Sequence, residues 1–304
     1  MPMMFLKKIF QMMVLSCLGC LSIKTAQAQV APVQNQFYLN PYIYNPAFVG
    51  SSDVPQLFFG IKKQWVNVEG SPTIATLTYT KPLANQASFG VKLINVSEGP
   101  INSLSLQGTL GYRLEVGMDS YVNFGMSLGF VYNSFNAAAL DAANDPLAQE
   151  QASGVFKFDG SIGFSYQVAN FTAGLVFPNF TAPRPFANNN DPQTSFGPWD
   201  YMIGSLAYKL EPNSEWEFNP MFLYHMQKGI NNQWELALKA VYQKKITGGI
   251  LYRQNVGLTA FGGYNINDKI GFHYLYNFSS PTAQLPNDSH ELVLRMTLGK
   301  KGKQ

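Results

Sequence analysis

The chain has 304 residues and a formal net charge of +3, with 13% charged and 14% aromatic residues. Ordinary soluble domains have about 25% charged residues, so this composition disfavours a soluble enzyme. The positive charge is too small and too scattered for a nucleic-acid-binding protein. After residue 28 there is no apolar run of the ~20 residues that a membrane helix needs, which excludes a helical membrane protein.

The first 28 residues have the organisation of a secretory signal peptide. Lys7 and Lys8 precede an apolar run over 9–23, and Ala26-Gln27-Ala28 is a small-x-small cleavage site. We therefore predict an exported mature chain that begins near Gln29. The only cysteines, Cys17 and Cys20, fall inside this signal, so no thiol remains for disulfides or metal. Lipid attachment at Cys17, which follows Ser16, is an open alternative to the Ala-x-Ala cleavage site.

Residues 29–54 are predicted to form a strap ahead of the strands. Its segment 36–50, QFYLNPYIYNPAFVG, contains two Asn-Pro pairs that are five residues apart. Proline denies an α-helix and interrupts a strand ladder. The prediction is an ordered, irregular strap that lies inside or beneath the structure formed by the rest of the chain.

From residue 55 to residue 299 one pattern recurs about fourteen times: some ten residues that alternate between large apolar and small or polar, and then a turn. In 103–115, for example, Leu104, Leu106 and Leu110 alternate with polar residues. A period of two indicates a β-strand, and an even number of such strands with few charges is typical of an antiparallel transmembrane β-barrel. The predicted strands are 55–66, 71–80, 87–96, 102–114, 119–133, 155–168, 170–178, 199–210, 215–227, 231–242, 245–253, 255–266, 269–278 and 289–298.

The two faces of these strands differ as a lipid-embedded barrel requires. Phe124, Met126 and Leu128 are predicted to face outward, with Gly125 and Ser127 facing the lumen. Another strand has the outward set Ile270, Phe272, Tyr274, Tyr276 and Phe278 with the inward set Gly271, His273 and Asn277.

The connections alternate in length. The long ones, 134–154, 179–198 and 279–288, all follow odd-numbered strands, whereas those after even-numbered strands are short. With both termini in the periplasm, the long loops would emerge outside the cell. Their Asn, Pro and aromatic residues suit protein docking: Asn188–Asp191, Phe196 and Trp199. The basic tail 300–304 is interpreted as a solvated end.

The charges predicted to face the lumen have both signs. We expect them to neutralise one another in a plugged or narrow lumen, because an ion-selective constriction would need clustered charges of one sign. They are Lys62, Lys92, Arg113, Glu115, Lys157, Asp159, Glu235, Lys239, Arg253, Glu291 and Arg295.

Five short motifs, in a fixed order, carry a family resemblance. They are Gln36, Asn40, Pro41, Asn45, Pro46, Ala47 and Gly50; then Gln64, Trp65, Gly70, Pro72 and Thr73; then Pro82 and Leu83; then Gly99 and Pro100; and finally Ser289, His290 and Glu291. In this order and spacing they resemble the PorP/SprF family of outer-membrane proteins of Bacteroidota, over nearly the whole mature chain. No motif aligns over 134–200.

The resemblance implies a non-enzymatic barrel, without cofactors, of the type IX secretion and gliding machinery. SprF-like members serve large surface adhesins and are thought to engage their C-terminal signal, whereas PorP-like members associate with periplasmic ring and motor lipoproteins; either role is open. Two alternatives have the same fold. One is a diffusion channel or hydrophobic-solute transporter, and the other is an anchor to the cell wall through a partner.

Catalysis and metal binding are disfavoured by the few histidines. Only His225, His273 and His290 exist. His290 lies between Ser289 and Glu291, but adjacent residues of a strand point to opposite faces and cannot form a proton relay. A hydrogen bond at the barrel rim is the expected role of His290. No pair of histidines has the spacing of metal ligands.

Overall fold

The computed structural model describes residues 35–66, 68–135, 154–178, 200–228, 231–278 and 288–299. The predicted signal peptide, residues 29–34 and the basic tail lie outside this described part. The docking positions proposed for Asn188–Asp191, Phe196 and Trp199 lie outside it too.

Fourteen antiparallel strands form a closed barrel in which each pairs with its neighbours in sequence and β1 pairs with β14. This confirms the predicted fold. Among the described residues, no helix is long and apolar enough to cross a membrane. The strands are β1 (Gln56–Gln64), β2 (Thr73–Pro82), β3 (Ala87–Glu98), β4 (Ile101–Gly117), β5 (Ser120–Phe135), β6 (Val155–Val168), β7 (Phe171–Phe177), β8 (Tyr201–Tyr208), β9 (Trp216–Gln227), β10 (Gln233–Tyr242), β11 (Ile246–Arg253), β12 (Gly257–Asn265), β13 (Ile270–Asn277) and β14 (Ser289–Thr297).

The two strand faces are as predicted. Outward-facing Phe272 is 45% exposed, whereas its neighbour His273 is 3% exposed and lines the lumen. The lumen also holds apolar side chains that the pattern did not assign to it, such as Leu275 and Val293, both fully buried. They pack in a cluster with Phe37 and Tyr38 from the N-terminal segment. The interior is therefore a packed core with polar patches.

The barrel has two different ends. The connections after even-numbered strands, such as Ala169–Asn170, are short, and we call the end where they lie the turn end. The three longest intervals between strands, 136–154, 178–200 and 278–288, follow β5, β7 and β13; the barrel end where these strands terminate is opposite to the turn end, and we call it the loop end. The predicted difference between odd and even connections is confirmed.

The N-terminal segment, residues 35–50, fills the lumen, and we call it the plug segment. It consists of three short 3-10 helices, Asn35–Tyr38, Pro41–Ile43 and Pro46–Gly50. The prolines exclude an α-helix, as predicted, but each begins a 3-10 turn, where a missing N–H costs nothing. The Asn45 side chain caps the third turn by accepting a hydrogen bond from Ala47 N–H at 2.9 Å.

Candidate functional site

The plug segment is hydrogen-bonded to strands all round the barrel. Its contacts follow a path from the loop end to the turn end: Asn35 donates to Asn277 Oδ1 of β13 at 2.7 Å, and at the far end Gly50 O accepts from Arg113 of β4 at 3.0 Å. Between them are Gln36–Thr76, Asn40–Thr78, Tyr42–Thr109, Lys92–Ile43 O and Lys239–Tyr38 O. The plug segment is thus bonded to strands on both sides of the barrel, and it runs along the lumen from the loop end to the turn end.

Aromatic packing and a close backbone contact also hold the plug segment in the lumen. The Tyr38 ring stacks on Phe261 of β12 with 3.8 Å between centroids. On the other wall, a Cβ placed on Gly125 of β5 would lie 2.2 Å from the carbonyl carbon of Pro46. Only glycine lets the plug backbone lie this close to β5.

A buried charged network lies in the loop-end half of the lumen. Glu235 is 0% exposed. Its carboxylate accepts hydrogen bonds from Arg253 at 2.9 Å and pairs with His225 Nε2 at 2.8 Å. Tyr201 lies beyond it, with its hydroxyl 3.2 Å from His225 Nδ1. These groups neutralise one another, as the mixed-sign prediction expected.

A second buried pair joins the barrel closure to the plug segment. Lys62 of β1 faces Glu291 of β14 in the register that closes the barrel. Both residues are buried. The Asn35 N–H donates to Glu291 Oε2 at 3.2 Å. Glu291 therefore contributes to holding both the closing strand pair and the first turn of the plug segment.

The turn-end half of the lumen also contains charges of both signs, since the carboxylate of Glu217 on β9 acts on Lys239. Lys239, His273 and Arg295 lie on β10, β13 and β14, and the charges of Lys239 and Arg295 both act on His273. Glu115, which was predicted to line the lumen, is exposed near the turn end of β4. Which lumen-facing groups lie at the same level depends on strand register, and alternation along one strand cannot reveal this.

A cavity of about 250 Å³ lies beside the plug segment on the β4–β9 side. Tyr44 and Phe48 of the plug line it, together with Arg113 of β4 and Met221 of β9. Gln167 and Thr172, which also line it, flank the short β6–β7 turn. The cavity therefore lies towards the turn end.

At the loop end, four sequence-distant segments meet where β14, β1, β2 and β3 adjoin; we call this place the motif rim. Gln64 pairs with Ser289, and Trp65 N–H donates to Asp288 O at 2.7 Å. The β1–β2 loop is joined to the β3–β4 turn by a hydrogen bond from Gly99 N–H to Gly70 O at 2.7 Å. Gly70 and Gly99 both have positive φ values, +71° and +53°.

His290 faces the outer surface of the motif rim. Its Nδ1 lies 2.6 Å from the Tyr274 hydroxyl, and its ring packs against Tyr276. The neighbouring Ser289 and Glu291 are buried on the lumen side. The structure thus confirms that the three residues form no relay and that His290 makes a rim hydrogen bond.

Replacing Gly70 with alanine should lower the free energy of unfolding by about 1 kcal/mol, because an L-residue is strained at positive φ. The measurement is urea unfolding of the barrel refolded in detergent micelles. Gly108→Ala is the control, since a Cβ added to Gly108 would have no atom within 4 Å and the residue lies within β4. Equal stability of the two variants would contradict the argument.

The family comparison gives a match over nearly the whole chain. The model of the family described as type IX secretion system membrane protein PorP/SprF matches residues 26–296. The chain belongs to the PorP/SprF family. No curated protein sequence matches it.

Solved structures similar to this PorP/SprF protein are outer-membrane barrels. The Pseudomonas putida toluene transporter TodX has a TM-score of 0.50 and 11% identity, covering 85% of this chain and 94% of its own. The CymD monoaromatic hydrocarbon channel has a TM-score of 0.54 and 12% identity, covering 88% and 94%. The Ralstonia pickettii toluene transporter TbuX has a TM-score of 0.50 and 12% identity, covering 90% and 96%. At such identities the likeness concerns the fold alone.

The PorP/SprF motif residues occupy three places. The first motif, from Gln36 to Gly50, forms the plug segment, and the Gln-Trp, Gly-x-Pro-Thr, Gly-Pro and Ser-His-Glu motifs form the motif rim and its lumen side. Pro82 and Leu83 lie apart from both, at the turn-end β2–β3 connection, where Leu83 N–H donates to Ala87 O. Of the buried network, sequence analysis assigned Glu235 and Arg253 to the lumen but gave no role to Tyr201 and His225. The signal that could have found these two is an inward position with a polar side chain.

Proposed function

We propose that this protein is a non-enzymatic outer-membrane barrel of the type IX secretion and gliding machinery. It engages either the C-terminal signal of a secreted adhesin or the periplasmic ring and motor components, for export or surface anchoring. The turn end faces the periplasm and the loop end faces outward. The observation that carries the proposal is that motif residues of the family build the plug segment and the motif rim.

The plug segment supports a docking role over a diffusion role. Residues 35–50 cross the lumen and bond to both walls, and buried apolar side chains pack against them. A solute would have to pass this packed segment. The barrel then offers partners its two ends and its outer surface.

The alternative is a diffusion channel or hydrophobic-solute transporter. The similar structures include a toluene transporter and a monoaromatic hydrocarbon channel. At their low sequence identity to this chain, the similarity concerns the fold alone. Conductance of the purified protein distinguishes this alternative from the secretion role.

Two photo-crosslinking positions test the proposal in a bacterium that has a type IX secretion system. Met118, 94% exposed in the β4–β5 connection at the turn end, and Val66, exposed at the loop end, would each be replaced by a photoreactive amino acid. We expect Met118 to crosslink to periplasmic ring or motor lipoproteins, or Val66 to crosslink to a large surface protein with a type IX C-terminal domain. Mass spectrometry of the crosslinked products identifies the partner.

The outcomes separate the candidate roles. A crosslink from Met118 to ring components assigns the PorP-like role, and a crosslink from Val66 to an adhesin assigns the SprF-like role. If neither position captures a secretion component and the wild-type protein conducts ions in a planar bilayer, the secretion role is wrong and the channel takes its place.

A further inference from the structure

The cavity of about 250 Å³ beside the plug segment can be reached from the turn end of the lumen. Three residues of its wall, Gln167, Thr172 and Ala207, each lie one residue from the point where β6, β7 or β8 meets the turn end. All three are only half-buried. A small molecule can therefore enter the cavity without displacing the plug segment.

Arg113 of β4 supplies the only charge among the described residues that line the cavity. Its Nε donates to Asn123 Oδ1 at 3.0 Å, and its Nη2 donates to Gly50 O at 3.0 Å. Asn123 is buried and in turn donates to Ser165 Oγ at 3.0 Å. The Tyr121 ring lies over one face of the guanidinium, with 5.3 Å from Cζ to the ring centroid. The guanidinium is thus held between β5 and the end of the plug segment.

Part of the guanidinium of Arg113 is left for a ligand. A guanidinium carries N–H donors on all three of its nitrogens, and within the described part of the chain Arg113 makes only the two hydrogen bonds just given. Nη1 and the second N–H of Nη2 therefore remain, and a carboxylate accepts such a pair of parallel donors. The acidic residues nearest in sequence to Arg113 and to Gly50 are Glu115 and Asp53. Both are exposed, and among the described residues no carboxylate lies within 4 Å of Arg113.

The cavity also has an apolar wall. Tyr44 and Phe48 of the plug segment line it, with their ring centroids 5.9 Å apart, and Met221 of β9 lines it too. Ala47 and Ala207 contribute only methyl groups to the lining, which leaves room inside. A cavity of about 150 Å³ is enough to bind benzene. This larger cavity can therefore hold an aromatic ring together with a carboxylate.

A ligand that fits these surfaces has an anionic group for Arg113 and an apolar body for the aromatic wall. Burial removes the apolar body from water, and the carboxylate gains charge-assisted hydrogen bonds from a guanidinium that is already held in place. We propose that the cavity binds a carboxylate attached to an aromatic or similarly sized apolar group, with Arg113 as the carboxylate-binding residue. Small aromatic acids have this chemistry, and so does the end of a peptide whose last residue is aromatic. The site does not depend on the secretion role, since the same barrel acting as a channel would contain it.

Calorimetric titration of the protein, purified in micelles of an uncharged detergent, tests the site. The probes are phenylpropionate, phenylpropionamide, acetate, and a short peptide that ends in phenylalanine with a free carboxylate. We expect phenylpropionate to bind at least about tenfold more tightly than the amide, which lacks the charge, and than acetate, which lacks the ring. Binding of phenylpropionate without the peptide would identify a small acid as the ligand. Binding of the peptide would identify a chain end.

Arg113→Met should bind the acid probes at least about tenfold more weakly, because the charge-assisted hydrogen bonds to the carboxylate are lost. Lys209→Met is the matched control. Lys209 is also a cation at the turn end, but it lies just outside β8, bonds Glu211 at 2.8 Å and is not part of the cavity wall. The control should bind the probes as the wild type does.

Ala207→Phe is a second variant, which leaves Arg113 and its bond to the plug segment intact. The added ring occupies part of the cavity and should weaken binding at least about tenfold, since two rings do not fit the same space. Ala240→Phe is its control, because Ala240 lies in β10 on the same outward face as the exposed Leu236 and Leu238. Heat-modifiable migration on gels establishes that each variant is a folded barrel.

Three results would overturn the proposal. The first is that the wild-type protein binds neither phenylpropionate nor the peptide. The second is equal affinity for phenylpropionate and its amide. The third is unchanged affinity in folded Ala207→Phe or in folded Arg113→Met. If Arg113→Met does not fold, the amide probe and Ala207→Phe still decide the role of the charge and the place of binding.

Discussion

Gly125→Val should convert the barrel from a closed to a conducting one. A Cβ on Gly125 would lie 2.2 Å from the carbonyl carbon of Pro46 and 2.4 Å from Ala47 N. Both atoms belong to the plug backbone, and the Asn45 side chain bonds this part of the plug segment to β6 and β7. The plug segment therefore cannot retreat by a side-chain rotation. It must leave this part of the lumen, and a barrel of fourteen strands then encloses a passage.

Single-channel recording in planar bilayers measures this change. We expect the conductance of the variant to exceed that of the wild type by about tenfold or more, because ions can pass through a fourteen-stranded barrel once the plug segment no longer fills its lumen. Gly204→Val is the control, since Gly204 lies in β8 with no atom within 4 Å of an added Cβ. Heat-modifiable migration on gels establishes that each variant is a folded barrel. A folded Gly125→Val protein that conducts no better than the control would show that the plug segment does not close the lumen.

Glu235→Gln should lower the free energy of unfolding by about 3–5 kcal/mol, the typical cost of leaving a buried charge unpaired. Glu235 is fully buried and bonds both Arg253 and His225. Its neutralisation removes the carboxylate that accepts the hydrogen bond of the Arg253 guanidinium. Urea unfolding of the refolded barrel gives the value.

The double variant Glu235→Gln/Arg253→Gln is the informative comparison. It removes both charges, so no unpaired charge stays buried, and we expect it to recover most of the stability lost in the single variant. A single variant as stable as the double variant would mean that the pair contributes little and that water reaches Arg253.

The periodicity of the sequence determines the strands and their faces. A period of two requires only local alternation, so Phe124, Met126 and Leu128 could be assigned to the lipid face from the residues alone, and the structure has them there. The predicted strand bounds agree with the observed ones to within a few residues because turn-forming residues separate the strands in the sequence. Motif order likewise identified the family, since it does not depend on three-dimensional contacts.

Residue patterns could not locate the plug segment. Asn-Pro pairs predict irregular backbone, but a strap beneath the barrel and a strap inside it have the same local sequence. The hydrogen bonds of Asn35 to β13 and of Asn40 to β2 show that the plug segment lies inside the barrel. These partners lie 242 and 38 residues away in sequence, and only closure of the barrel brings both to one segment.

Contacts between residues far apart in sequence also determine how the lumen charges and the motif rim are arranged. The sequence by itself determined which side chains face the lumen, because alternation fixes the face. It did not determine which of them share a level, because that depends on strand register and on the stagger of the closed barrel. Tertiary structure therefore decided that Glu235 meets Arg253, that Lys239 and Arg295 share one half of the lumen, and that Gly70 meets Gly99.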